Sequence, residues 1–240
     1  MNEANPSHAV NSNYEPKWKG LYKAGAISAL ISLLLFPAQI AIFFTNPYPV
    51  NVTEWFALLA AKPLVGLVEL DLFLLVDEVL VILIFLALYT ALKEQNRSII
   101  LSSTVLGVIS VVLFIASNPA FSMLSLSGLY ANAVTEVQRS SLLAAGEAVM
   151  SFWIGSGWQT AYFIGSIAPI AISVVMLRSP LFKKATAYFG IASNVVALGK
   201  YVPVIGIYIS IFSVVLLWVW YLLIALDLFK LGKLRKASAS

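Results

Sequence analysis

The stretch ELDLFLLVDEVLVILIFLALYTAL, residues Glu69–Leu92, decides how the rest of the chain is read. It is apolar enough for a membrane, yet it carries Glu69, Asp71, Asp77 and Glu78, with no basic residue between Leu64 and Leu92. Charge in hydrocarbon is costly, so these acids either lie outside it or serve a purpose. The uncharged part, Val79–Leu92, has 14 residues and makes about 21 Å of helix. Crossing about 30 Å of hydrocarbon requires Leu72–Glu78 as well. That length puts Asp77 and Glu78 about 8–9 Å beneath one surface. Glu69 and Asp71 then reach the interface, where their charge is unremarkable.

The whole chain reads the same way. Of 240 residues, 60% are hydrophobic and 11% charged, against about a quarter charged in soluble domains. There is too little polarity to clothe a soluble core, which implies a multi-pass, all-α integral membrane protein. The absence of cysteine excludes disulfides, thiolate metal sites and a cysteine nucleophile. The one histidine, His8, stands in a polar N-terminal tail, which excludes histidine catalysis within the spans. Gly155-Ser156-Gly157 lacks the spacing of a nucleophile elbow and reads as a helix break. No phosphate loop, zinc motif or nucleic-acid signature is present, so no cofactor, metal or nucleic-acid partner is expected.

Working outward, residues 1–19 form a mobile cytoplasmic tail without a signal peptide, and residues 20–236 a six-span membrane domain. Residues 237–240 are a disordered end. The spans are Ala24–Thr45 with a kink at Pro37, roughly Leu72–Leu92, Ser98–Ser117, Trp158–Arg178 with a kink at Pro169, Ala185–Tyr201 and Val204–Phe229. A short helix, Thr53–Ala61, is capped by Thr53, and Asn118-Pro119 opens another. Short extra helices therefore lie on the outer face. Leu142–Trp153 lies in or on the membrane, either re-entrant or interfacial. Val52-Thr53-Glu54 before Leu58–Ala61 is echoed by Val134-Thr135-Glu136 before Leu142–Ala145, a weak hint of a repeated hairpin.

Orientation follows from the basic residues. Lys17, Lys19, Lys23, Lys93, Arg97, Arg178, Lys183, Lys184, Lys230, Lys233, Arg235 and Lys236 fall on one side, twelve against Lys62, Arg139 and Lys200 on the other. By the positive-inside rule both termini are cytoplasmic in the cell membrane. The basic turns are suited to anionic lipid head groups, which with the bilayer are the expected partners.

The candidate polar pocket comprises Asp77, Glu78, Arg139, Glu147, Asn118, Tyr130 and Asn132. Close carboxylates favour a shared proton or a bound cation. Arg139 would pair with Asp77 or Glu78 as a buried lock, or else locally with Glu136, three residues before it. The polar residues Asn118, Ser122, Ser125, Tyr130, Asn132, Gln39 and Asn194 more often bridge helices than bind substrates in a bundle.

Arg139–Ala148 (RSSLLAAGEA), Met176–Phe182 (MLRSPLF) and Gly190–Asn194 (GIASN) resemble a family of prokaryotic membrane proteins, domain of unknown function 4386. The resemblance covers roughly residues 18–236 and implies a six-helix membrane domain with no assigned reaction. The acidic run of the second span has no counterpart in it. Three readings of function remain: a structural or accessory membrane protein, a small transporter or channel using outer carboxylates for a proton or cation, and, weakest, an intramembrane enzyme. No catalytic residue is assigned.

Overall fold

A computed structural model describes residues 16–233; His8 and the rest of the tail before Pro16, with Arg235, Lys236 and the Ser-rich end, lie outside the described residues. Helices account for nearly all of the described chain, and no strand occurs within it. After a 3-10 turn, Pro16–Trp18, helix α1 runs Lys19–Thr45 and stays continuous through Pro37. Its last carbonyls are satisfied locally: Thr45 Oγ1 donates to Ala41 O at 2.8 Å and Asn46 Nδ2 to Ile42 O at 3.1 Å.

Helix α2 spans Val52–Ala61. Its cap is Asn51, which accepts from the Glu54 N–H at 2.9 Å, and Glu54 accepts in return from the Val50 N–H at 2.9 Å. The expected Thr53 cap is thus displaced by two residues. Asn is the stronger cap, and starting at Val52 sets Glu54 at the third helical position, where a side chain reaches back. Helix α3, Pro63–Glu69, opens with proline in the first turn.

Helices α4, Leu72–Leu92, and α5, Arg97–Ser117, agree with the second and third sequence spans to within a residue. Helix α6, Ala120–Ala131, begins after Asn118-Pro119 as that pair implied. Helix α7, Glu136–Trp153, starts from a capping box of Thr135 and Gln138. Gly155 separates it from α8, Ser156–Met176. Helix α9, Lys184–Leu198, ends in a 3-10 turn, Gly199–Tyr201, before α10, Gly206–Lys233.

Among the described residues, five runs are long and apolar enough to cross a membrane: α1, α4, Arg97–Ala131, Glu136–Met176 and α10. The expected fifth span is the shortfall. Helix α9 has 15 residues, about 22 Å, and carries Asn194 within it. Several span helices present large exposed apolar side chains, among them Leu34, Phe44, Val112, Tyr208 and Phe212.

The chain divides into two compact units. One comprises residues up to 33, 79–111 and from 163 onward. Its helices approach at small residues. A Cβ on Gly25 would strike Ala87 and reach Leu228, and one on Gly190 would strike Ser173 and Trp220, the close packing that membrane bundles rely on. Asp227 of α10 is 3% exposed and latches α9. It accepts from Thr186 Oγ1 at 2.6 Å and from the Lys183 N–H at 3.3 Å, so a carboxylate from another helix caps α9.

The second unit comprises residues 34–78 and 112–162. Its core joins Val52, Trp55, Phe56 and Leu59 of α2, Leu67 and Leu70 around α3, and Ala120 and Met123 of α6. Leu143, Val149, Met150 and Trp153 of α7 pack against that core. Gly146 lets α7 approach Val52 and Phe56 closely. Ser127 Oγ donates to Phe56 O at 2.9 Å and ties α6 to α2.

Replacing Asp227 by Ala should cost about 1–2 kcal/mol, seen as a lower thermal midpoint in detergent. Asp227→Asn, which keeps an acceptor, should lose less. Equal losses in the two variants would remove the capping role.

Candidate functional site

Of the residues singled out from sequence, Arg139 is engaged on its own helix and does not bond to Asp77 or Glu78. Asp77 is buried at 3% exposure and Glu78 is half-buried. Arg139 is turned to its own helix. Its Nη1 lies 3.9 Å from Glu136 Oε1, with the two side chains 49% and 92% exposed, and its Nε donates to Ala133 O at 3.4 Å. The three-residue spacing makes this pairing local, and an exposed pair of this kind contributes little. The buried lock with Asp77 or Glu78 is therefore replaced by the local alternative. Glu147 is exposed.

Of the neutral members, Asn118 and Tyr130 join elements. Asn118 Nδ2 donates to Leu70 O at 3.0 Å while its Oδ1 accepts from the Ala120 N–H at 2.9 Å, so one side chain both caps α6 and fastens the end of α3. The Tyr130 ring leans on Phe56 with centroids 5.3 Å apart. Asn132 is exposed and donates to Gly128 O at 2.8 Å, closing the last turn of α6. Ser122 and Ser125 are exposed. Asn194 bonds back along its own helix to Gly190 O at 2.9 Å rather than bridging to another.

A different pair of carboxylates stands out at the corner between α3 and α4. Glu69, the last residue of α3, is 1% exposed, and neither carboxylate oxygen has a hydrogen-bond partner. The sequence placed it at the interface because length alone measures depth in a bilayer and ignores cover by the chain itself. Asp71, two residues on, stands at φ 64°, a left-handed backbone. That conformation costs a non-glycine residue about 1–2 kcal/mol, and Asp and Asn tolerate it best. It turns the chain sharply: the Asp71 N–H closes onto Val68 O at 3.0 Å, while its own carbonyl accepts from Leu75 at 2.9 Å to begin α4.

Gln39 of α1 holds this corner, its Nε2 donating to Asp71 Oδ1 at 2.7 Å. The helix-bridging role expected of Gln39 is the one it plays. Tyr48 stands near both acids, its ring edge-on to Trp55 at 5.3 Å. Burial first, then the charges of Asp71 and Glu69, push the Tyr48 phenol above its usual value. Burial likewise raises the Glu69 carboxyl. For Asp71, burial dominates and Glu69 adds to it; the Gln39 hydrogen bond opposes them, leaving the carboxyl at about 6.

Chemically, the corner offers two carboxylates, a phenol and an amide: hard oxygen groups suited to a proton or a small cation. Among the described residues no group of three or more His, Cys, Asp or Glu could hold a metal ion. No family model, curated protein or solved structure matches this chain.

The raised carboxyls fix a sign for the pH dependence. Folded Glu69 and Asp71 keep protons that the unfolded chain would release. The Asp71 contribution is full below about pH 4 and is lost as pH rises through about 6, and the raised Glu69 carboxyl acts in the same direction. The thermal midpoint in detergent should therefore fall by a few degrees between about pH 4 and pH 7. Asp71→Asn, which keeps the left-handed backbone, should flatten the fall. The same slope in both proteins would exclude this corner as its source.

Proposed function

We propose that this chain is a multi-pass cell-membrane protein of structural or accessory role, crossing the bilayer six times with both termini cytoplasmic. Its exposed apolar helix faces call for lipid cover. The sixth span is α9 extended by its 3-10 turn, a short crossing that would pack on α10. Orientation is supported by how the basic turns gather. Lys17 and Lys93 both lie over the Trp18 ring, at 5.7 and 5.8 Å, and Lys23 lies beside Gly232 near the end of α10. An aromatic ring among lysines suits the cytoplasmic interface, where anionic head groups are the expected partners. The resemblance to domain of unknown function 4386, and the prokaryotic source it implies, are part of this proposal.

The observation that carries the accessory reading is the dispersal of the polar residues. Arg139, Asn118, Tyr130 and Asn132 are engaged in local pairing and helix joining, and Glu147 faces outward. Transport of a proton or cation is the second reading, favoured by the buried carboxylates Asp77 and Glu69.

The absence of native cysteine makes sidedness directly measurable. Single cysteines at Gln95 and Lys184 should react with an impermeant maleimide only from the cytoplasmic side, and those at Asn46 and Asn132 only from outside. Labelling of Gln95→Cys and Asn132→Cys from one side would overturn the topology. Liposomes containing the protein should pass protons and alkali cations no faster than empty ones. A flux that falls in the Asp77→Asn, Glu78→Gln double variant would overturn the accessory role in favour of transport.

A further inference from the structure

The corner between α3 and α4 contains a buried carboxylate with no donor, which no packing argument accounts for. A carboxylate removed from water and left without hydrogen bonds is costly by several kcal/mol. It is retained only if neutralised. Among the described residues, no cationic side chain is paired with it. Lys62, at the start of α3, is exposed, and Arg139 is occupied with Glu136 and Ala133. Of the elements packed on α3, α2 contributes Glu54, engaged in the Asn51 cap, and α6 contributes Tyr130, whose ring rests on Phe56. The titratable groups acting on the corner are therefore Glu69, Asp71 and Tyr48.

The two carboxyls are not equivalent, and backbone geometry tells them apart. Glu69 ends α3, where the unpaired carbonyls of the last turn oppose negative charge. Asp71 immediately precedes α4, where free N–H groups favour it, and it also accepts a hydrogen bond from Gln39. Two neighbouring acids in opposed environments divide the roles of proton holder and charged partner. We propose that the α3–α4 corner is a proton-binding site, in which Glu69 carries the proton at neutral pH and Asp71 remains ionised beside it. Glu69 gives the proton up only when the corner opens to water. The site thus ties the packing of α3 against α2 and α6 to the pH of the compartment it faces.

Infrared spectroscopy of the full-length protein in nanodiscs tests the assignment. At pH 7 the spectrum should contain a protonated-carboxyl C=O band that shifts in D₂O, disappears in Glu69→Gln and persists in Asp71→Asn. Removing the neighbouring charge in Asp71→Asn should also move the titration of that band to lower pH. Should Glu69→Gln fail to fold, carboxyl-¹³C glutamate in a protein carrying Glu3→Gln, Glu15→Gln and Glu78→Gln isolates the same band, because the remaining Glu54, Glu94, Glu136 and Glu147 are exposed. A spectrum with no Glu69 band at pH 7 would overturn the proposal. So would loss of the band on adding sodium or calcium with a rise in thermal midpoint, which would make the corner a metal-cation site instead.

Discussion

Polar side chains are scarce in this chain, and a helix whose outer face meets apolar surroundings has no water to satisfy those it has. Each buried polar group must find a partner in the protein, so the few present are placed where helices meet. Gln39 reaches Asp71, Asn118 reaches Leu70, Ser127 reaches Phe56 and Asp227 reaches Thr186. Dispersion and close approach at Gly25, Gly146 and Gly190 hold the helices together. The hydrogen bonds fix which helix meets which and at what register.

Among the described residues, Glu69 departs from that pattern with both of its carboxylate oxygens. Gln39, Asp71 and Asn118 join elements around the corner, whereas both oxygens of Glu69 are orphaned at 1% exposure. An orphaned charge is a far larger penalty than an orphaned hydroxyl such as that of Ser32 or Thr104. The chain holds this acid against the left-handed strain of Asp71 two residues later. Two costly features so close together mark a place where local stability has been given up for something else. The dispersed residues around Arg139 carry no such cost.

Much of the architecture was legible from sequence because membrane crossing is a question of length and hydropathy. Helices α4, α5 and α8 begin and end within about two residues of the expected spans, and the breaks at Asn118-Pro119 and Gly155 lie where glycine, proline and asparagine put them. Helix α9 shows the limit of that reasoning. At 15 residues it owes its place to the Asp227 latch and to the absent side chain at Gly190, neither of which appears as hydropathy. The cap at Asn51 in place of Thr53 is a smaller case, settled by which side chain could return from Glu54.

The sequence by itself determined the class, the helix count along most of the chain, and the exclusion of thiol and histidine chemistry within the spans. It also identified four unusual acids in one stretch. Which of them matter was decided only by tertiary structure. Depth counted along a single helix assigns Glu69 to the surface, but burial depends on what else covers it, and α2, α3 and α6 close over that corner. The partner of Asp71 lies 32 residues away in the chain, and no local pattern announces Gln39. Periodicity reports one helix at a time. The environment of a charge is set by neighbours that only folding brings together.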